Sequence, residues 1–225
     1  MKKPPYRVFE GLRIAICLTF ISGYLNAFSF VALEGRFAGV QSGNVLLLAY
    51  HAALGQWSKA ASFLIPITCF VVGQFFTYLA KEWFVKNTLP WHLGSSLMML
   101  GVVLLTLAGQ FIFPSLFTMA SLAFLASIQV ETFRRVRGAP YANVMMTGNV
   151  KNAAYLWFKG KVEKDRDLQQ RGTAIFLTIL GFMFGVVLAT LVTVKKAEWA
   201  LAGLIFPIVY VNYQLWKEKR NESGR

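Results

Sequence analysis

The sequence predicts an all-α polytopic membrane protein made of two inverted three-span repeats, each with a short re-entrant or interfacial helix after a Ser/Thr-Gly-Asn motif. Three observations support this class: an apolar composition, a motif that occurs twice, and an uneven distribution of basic residues among the loops. Hydrophobic residues make up 56% of the chain and charged residues 15%, whereas about 25% of a typical soluble domain is charged. The longest polar stretch covers only residues 159–172, which leaves no room for a soluble domain.

Apolar runs supply the predicted spans. A helix needs roughly 20 predominantly apolar residues to cross a bilayer, and six runs approach or exceed that length. They cover residues 12–33, 60–80, 93–108, 115–130, 173–194 and 200–216. The first run follows a basic segment, but it is longer than the apolar region of a usual signal peptide, so we interpret it as an uncleaved first helix.

The same motif occurs in both halves of the chain. Ser42-Gly43-Asn44 and Thr147-Gly148-Asn149 lie 105 residues apart. Similarity extends around them, because a tyrosine and a glycine follow each triplet at the same spacing, and Asn26 and Glu131 each precede their glycine by 17 residues. The chain is therefore predicted to be a single integral membrane domain, residues 1–225, with internal repeats at about 12–112 and 115–217.

Two topologies are compatible with the apolar runs. The segments that follow the motifs, residues 44–54 and 149–158, are too short to span the bilayer as helices, and Lys151 lies in the second. If they do not cross, there are six spans, and 19 of the 23 Lys and Arg residues face the cytoplasm. If they do cross, 14 are inside, 8 are outside and Lys151 is left in the membrane.

The positive-inside rule favours six spans with both termini cytoplasmic. The cytoplasmic set includes Lys2, Lys3 and Arg225 at the chain ends and Lys164 in the most polar loop. Each repeat then contains three spans, an odd number, so the second repeat crosses the membrane upside down relative to the first. Inverted repeats of this kind place their equivalent motifs near the bilayer midplane.

The triplets have the chemistry of helix starts. Ser42 and Thr147 are expected to be N-cap residues, and a helix that begins there presents unpaired N–H groups and the positive end of its dipole. Asn44 and Asn149 add two donors and one acceptor each, while Gly43 and Gly148 permit close approach. Two interpretations remain open: the triplets bind a polar or anionic solute, or the two half-helices cap one another as a packing device.

Three more polar residues, in or at the end of predicted spans, complete the candidate substrate-binding set: Asn26, Gln129 and Glu131. Ionisable groups inside a membrane are usually functional, which favours Glu131, although an interfacial ion pair with the nearby Arg134 is an alternative. Gln129 could instead form a hydrogen bond between helices. Arg36, before the first triplet, could attract anions or anchor to headgroups.

The residues around the triplets resemble a family of bacterial membrane proteins, the YoaK family, also called domain of unknown function 1275. The resemblance rests on Ser22-Gly23-Tyr24-Leu25-Asn26-Ala27, Gly35-Arg36-Phe37-Ala38, Gln41-Ser42-Gly43-Asn44, Pro66, Gly73, Gln129, Phe133, Gly138, Pro140-Tyr141 and Met146-Thr147-Gly148-Asn149. It implies an integral protein of about six spans in the bacterial inner membrane and names no substrate. The family often has Asp at the position of Asn26 and Thr at that of Ser42.

The sequence does not indicate an enzyme, a metal site or a cofactor. It contains no nucleophile elbow, HExxH, phosphate-binding loop or dinucleotide fingerprint, and His51 and His92 stand alone. The net charge of +13 is attributed to the positive-inside rule rather than to nucleic-acid binding. We interpret a Gly181/Gly185 pair as close helix packing.

The composition and motifs together predict a transporter or channel for a small polar or anionic solute, with its site at the repeat interface. A non-transporting scaffold or stress-related membrane component is the alternative. The expected partners are the lipid bilayer and the solute, and homo-oligomerisation is left open.

Overall fold

The computed structural model describes residues 6–223, which form helices over most of their length. The helices are α1 (Leu12–Ala32), α2 (Gln41–Ala53), α3 (Trp57–Ser62), α4 (Leu64–Lys86), α5 (Trp91–Gly109), α6 (Ser115–Thr132), α7 (Met146–Val162), α8 (Arg166–Ala200) and α9 (Ile205–Ser223). Two 3-10 turns cover Val8–Glu10 and Leu201–Leu204. A two-stranded antiparallel hairpin, β1 (Arg135–Val136) and β2 (Ala139–Pro140), precedes α7.

Five helical segments among the described residues are long and apolar enough to cross a membrane. They are Leu12–Ala32, Trp57–Lys86, Trp91–Gly109, Ser115–Thr132 and Arg166–Ala197. Each contains most or all of one of the first five predicted spans. The structure therefore supports the predicted class of an all-α membrane protein.

The sixth predicted span, at residues 200–216, differs from the other five. Its apolar sequence is divided between the 3-10 turn and α9, and the second half of α9 carries charges such as Lys217 and Arg220, so it is not among the five segments. Helix α9 nevertheless packs against α5. Asn212 Nδ2 donates to the Ser96 carbonyl at 3.2 Å, and the 3-10 turn before α9 also contacts α5.

Glycines allow α1 and α8 to pack with their backbones in close contact. A Cβ on Gly185 would lie 2.2 Å from the Phe20 carbonyl oxygen, and one on Gly181 would lie 3.0 Å from that of Ile16. From the other side, Gly23 faces the backbone of Phe182 in the same way. The predicted packing role of the Gly181/Gly185 pair is confirmed, since larger residues there would force the helices apart.

The long helices pair across the two halves of the sequence. Helix α1 packs mainly against α8, and α4 packs mainly against α6. Helix α5 contacts both α6 and α9, and α9 also contacts α1. The main core lies among these helices and includes Leu18, Leu25, Met99, Leu122, Leu125 and Ile208, all nearly or fully buried.

Residues near both ends of the chain lie at the same end of the bundle. The Val8 N–H donates to Glu218 Oε1 at 3.0 Å, and the Arg137 N–H in the hairpin donates to the Glu10 carbonyl at 2.8 Å. We call this the terminal end of the bundle. At the opposite end, the Phe111 and Trp199 rings are 5.9 Å apart. Lys2, Lys3 and Arg225 of the predicted cytoplasmic set lie outside the described residues.

Candidate functional site

The two triplets each lie in the first turn of a short helix. Helix α2 begins at Gln41 and α7 at Met146, so the N-cap residues are Val40 and Met145, and neither makes a side-chain cap bond. The predicted N-cap roles of Ser42 and Thr147 are therefore wrong. The chain enters each helix earlier because side chains other than these hydroxyls fix the preceding loop, and both residues are exposed.

Asn44 fixes the loop that precedes α2. Its Oδ1 accepts from the Phe37 N–H at 2.9 Å, and its Nδ2 donates to the Phe37 carbonyl at 2.6 Å. The same Nδ2 also donates to Gln41 Oε1 at 2.9 Å. Asn44 is fully buried. Its side chain pairs with both the N–H and the C=O of Phe37, which lies in a loop and not in a helix.

Asn149 makes the same pair of bonds before α7. Its Oδ1 accepts from the Ala142 N–H at 2.8 Å, and its Nδ2 donates to the Ala142 carbonyl at 2.5 Å. In both repeats the partner lies seven residues before the asparagine, which is fully buried. We call these two arrangements the asparagine clasps. They give Asn44 and Asn149 a structural role within their own repeats, rather than the expected capping of one half-helix by the other, and direct solute binding by these amides stays a prediction.

The loops that precede α2 and α7 meet between α1 and α6. A Cβ on Gly39 would lie 2.6 Å from Val144 Cγ1 and 3.3 Å from the Ala126 Cβ, so a larger residue here would require Val144 to move. Gly39 and Val144 are 105 residues apart, the spacing of the triplets. Equivalent points of the two repeats are therefore in direct contact. Asn26 holds this meeting point from α1, because its Oδ1 accepts from the Gly39 and Val40 N–H groups at 2.8 and 3.1 Å.

Gln129 and Asn143 hold the second loop. Gln129 Nε2 donates to the Leu18 carbonyl at 2.8 Å and to Asn143 Oδ1 at 3.3 Å. Asn143 Nδ2 donates to the carbonyls of Gln129 and Phe133 at 3.0 and 2.6 Å. Gln129 and Asn143 are both fully buried. Asn26, Gln129 and Asn143, with Ser22 at 3.4 Å from Gln129 Nε2, form what we call the central polar cluster.

One acceptor of the cluster has no partner. Gln129 Oε1 is buried without a hydrogen bond to any residue that the structure describes. The hydroxyl of Tyr141, two residues before Asn143, is also buried, and this burial raises the pKa of the phenol, so the group stays neutral beside the Asn143 side chain. Buried polar atoms are usually paired, and unpaired ones in this interface are places where a bound polar molecule would be stabilised.

Glu131 lies apart from the cluster. It forms an ion pair with Arg134, and its side chain is 20% exposed. Asn26, its partner by sequence spacing, instead binds the first loop. The structure therefore does not bring Glu131 and Asn26 together, and it shows the ion pair that the sequence offered as the alternative.

We expect Glu131→Gln to change solute flux less than twofold and to leave its pH dependence unchanged. The reason is that the carboxylate is paired at a helix end and does not contact the cluster. Flux into liposomes between pH 5.5 and 8 would measure this. If the variant melts like the wild type but the pH dependence of its solute flux is shifted, the Glu131 carboxylate does take part in transport and this expectation is wrong.

Other sequence candidates have local structural roles. Arg36 is buried, donates from Nε to the Leu33 carbonyl at 2.9 Å and pairs with Glu34 at 3.3 Å. His51 lies 2.6 Å from Gln56 Oε1 through Nδ1. The described residues contain no group of three or more His, Cys, Asp or Glu side chains that could hold a metal ion.

Asn143 and Ser22 are the members of the cluster that were not among the sequence candidates, and Asn143 makes more of its hydrogen bonds. The equivalent of Asn143 in the first repeat is Ala38, so the repeats do not match at this position. Its position in a short loop after α6 also separates it from the predicted spans. The sequence signal that could identify Asn143 is a polar residue that lies shortly before a triplet and has no polar counterpart in the other repeat.

No curated protein and no solved structure matches this chain. The family described as "Protein of unknown function (DUF1275)" matches residues 14–211, a range that contains both triplets, both clasps and the whole central polar cluster. The chain therefore belongs to the DUF1275 family.

Proposed function

We propose that the protein is a transporter or channel for a small polar or anionic solute, whose path runs between the two repeats at the central polar cluster. The observation that carries this proposal is the contact between the two loops at Gly39 and Val144, beside a buried acceptor without a partner on Gln129. Ser42, Gly43, Thr147 and Gly148 lie at the helix starts that follow these loops.

Pseudo-two-fold symmetry supports the inverted repeats. Shifting α1 and α8 by the repeat spacing gives α6 and α4, and these are the two most closely packed pairs between the halves. The clasps obey the same spacing, and Tyr50 and Tyr155 are both exposed. With three spans per repeat, the symmetry axis lies in the membrane plane, as in many transporters.

The short helices are well suited to a re-entrant role. Helix α2 has 13 residues and α7 has 17, or about 20 and 25 Å at 1.5 Å per residue, less than the roughly 30 Å hydrocarbon core. Each begins beside the other repeat's loop, so the positive ends of both dipoles point toward the interface. That field favours an anion or a polar group, and the Gln129 acceptor favours a solute that can donate a hydrogen bond.

Passage through this interface requires movement. Asn26, Gln129 and Asn143 are at most 3% exposed, so the described arrangement is closed. The loops that meet at Gly39 and Val144 would separate to admit a solute, with the clasps keeping each loop attached to its own helix. On this proposal Asn44 and Asn149 are positioning residues rather than ligands.

Reconstitution of the purified protein tests the proposal. Liposomes with and without protein would be mixed rapidly with solutions of urea, glycerol, acetate or formate. Stopped-flow light scattering would then follow the change in liposome volume as each solute enters. We expect at least one solute to equilibrate faster with protein. If liposomes that contain folded protein take up every solute of the panel no faster than empty liposomes do, the result would favour a non-transporting scaffold.

We also propose that the terminal end of the bundle faces the cytoplasm of a bacterial inner membrane, because 19 of the 23 basic residues fall on that side of the six-span arrangement. In a variant lacking Cys17 and Cys69, a cysteine at Lys164 should resist an impermeant maleimide in intact cells. A cysteine at Lys59, on the opposite side, should react. Labelling at position 164 but not at 59 would contradict the orientation.

A further inference from the structure

We propose a binding site for one anionic phospholipid at the terminal end of the bundle, between α5, the end of α4 and the end of α9. Two adjoining cavities form it, one whose lining includes several charged and polar side chains and one lined mainly by apolar side chains. They share Pro90, Leu93 and Lys219. Their combined shape matches a charged headgroup followed by an acyl chain. The site is separate from the central polar cluster and does not depend on transport.

The polar cavity has the charge that an anionic headgroup needs. It has a volume of about 420 Å³ and is lined by Arg7, Phe9, Pro90, Trp91, His92, Leu93, Leu215, Glu218 and Lys219. Two cations and one carboxylate give it a net positive charge. The carboxylate, Glu218, already accepts from the Val8 N–H at 3.0 Å, which reduces its effect on a bound phosphate.

Trp91 supplies a second, independent indication of a ligand. It is 7% exposed, and its indole Nε1–H is buried without a hydrogen-bond partner among residues 6–223. An indole N–H is a donor only, so its partner must be an acceptor, such as a phosphate or ester oxygen. The ring is fixed by an edge contact with Phe84 at 5.6 Å, and Phe84 lines the adjoining cavity.

The apolar cavity lies next to this headgroup pocket. It has a volume of about 460 Å³ and is lined by Phe84, Leu89, Pro90, Leu93, Gly94, Leu97, Met98 and Lys219. Leu89 and Leu97 are 40% and 52% exposed, so the groove opens onto the surface that faces the lipid. The Phe84 ring packs directly against Gly94, because a Cβ there would lie 2.1 Å from Phe84 Cε1.

A phospholipid fits both cavities better than a soluble anion does. A free phosphate would occupy only the polar pocket and leave the groove unexplained. Tryptophan and basic residues at the end of a span are the side chains that meet headgroups, and basic pockets between spanning helices bind anionic lipid headgroups. The site therefore requires both parts, and each part can be tested separately.

Native mass spectrometry of the detergent-purified full chain tests the site with phosphatidylglycerol and phosphatidylcholine as probes. We expect a retained one-to-one phosphatidylglycerol adduct that exceeds the phosphatidylcholine adduct at least fivefold. The double variant Arg7→Gln, Lys219→Gln should lose that preference. Its matched control, Lys59→Gln, Lys195→Gln, makes the same charge change at the opposite end and should keep it.

The groove is tested by Leu97→Gln, with Leu105→Gln as its control. Both leucines are exposed on α5, but only Leu97 lines the cavity. Leu97→Gln should weaken the phosphatidylglycerol adduct severalfold and Leu105→Gln should not. Trp91→Phe, which keeps the ring contact and removes only the donor, should also weaken it. Equal adducts for both lipids, or displacement of phosphatidylglycerol by millimolar inorganic phosphate with no effect of Leu97→Gln, would overturn the proposal.

Discussion

Replacing Asn44 or Asn149 with leucine should destabilise the protein by up to about 6 kcal/mol, because each change leaves a partly buried backbone N–H and C=O without partners, and such groups cost about 1–3 kcal/mol each when water does not reach them. The affected groups belong to Phe37 in one repeat and Ala142 in the other. Inside a membrane no water replaces the lost bonds. Melting temperature in detergent, followed by size-exclusion chromatography of heated samples, would measure the loss.

Neighbouring substitutions in the same triplets provide the control. Ser42→Ala and Thr147→Ala remove exposed hydroxyls that make no cap bond, so each should cost less than about 0.5 kcal/mol. The losses from Asn44→Leu and Asn149→Leu should add to within about 0.5 kcal/mol, since the clasps share no hydrogen-bond partner. A double leucine variant that melts like the wild type and loses flux would instead show that both amides bind solute.

Gln129→Leu should reduce solute flux at least tenfold while the protein stays folded. Gln129 contributes the acceptor without a partner and also positions Asn143, and leucine has a similar volume with no polar group. The Leu18 carbonyl loses one donor but remains inside a helix, and the buried Asn143 Oδ1 also loses its donor, so stability should fall by about 1–3 kcal/mol. Flux rate per folded protein measures the effect, and Gln129→Met replaces the variant if leucine prevents folding.

The architecture was largely readable from the sequence because bilayer thickness fixes the length of an apolar span. Five of the six predicted runs became helical segments apolar enough to cross. The sixth was harder, because a 3-10 turn at Leu201–Leu204 divides the apolar run and charged residues occupy the second half of α9. Periodicity cannot reveal such a break, which depends on how α9 packs along α5.

The site was only partly predictable, because its geometry depends on contacts between distant residues. The twofold occurrence of the triplets identified Asn44 and Asn149 as important, and the spacing identified Asn26. Which atoms these amides bind could not be read from spacing alone, since each partner lies in an irregular loop. Asn143 and the contact of Gly39 with Val144 required the fold, because they depend on how α1 and α6 bring the two loops together.

The most direct test of the solute path compares three proteins in the same liposome assay: wild type, Gln129→Leu and Gln74→Leu. Gln74 is the matched control, because its Nε2 also donates to a backbone carbonyl on another helix, that of Ser127 at 3.1 Å, but it does not bond to Asn26, Gln129 or Asn143. The account predicts that wild type and Gln74→Leu move the same solute at rates within about twofold, while Gln129→Leu falls at least tenfold. Wild-type flux from folded Gln129→Leu protein would contradict a path through the central polar cluster.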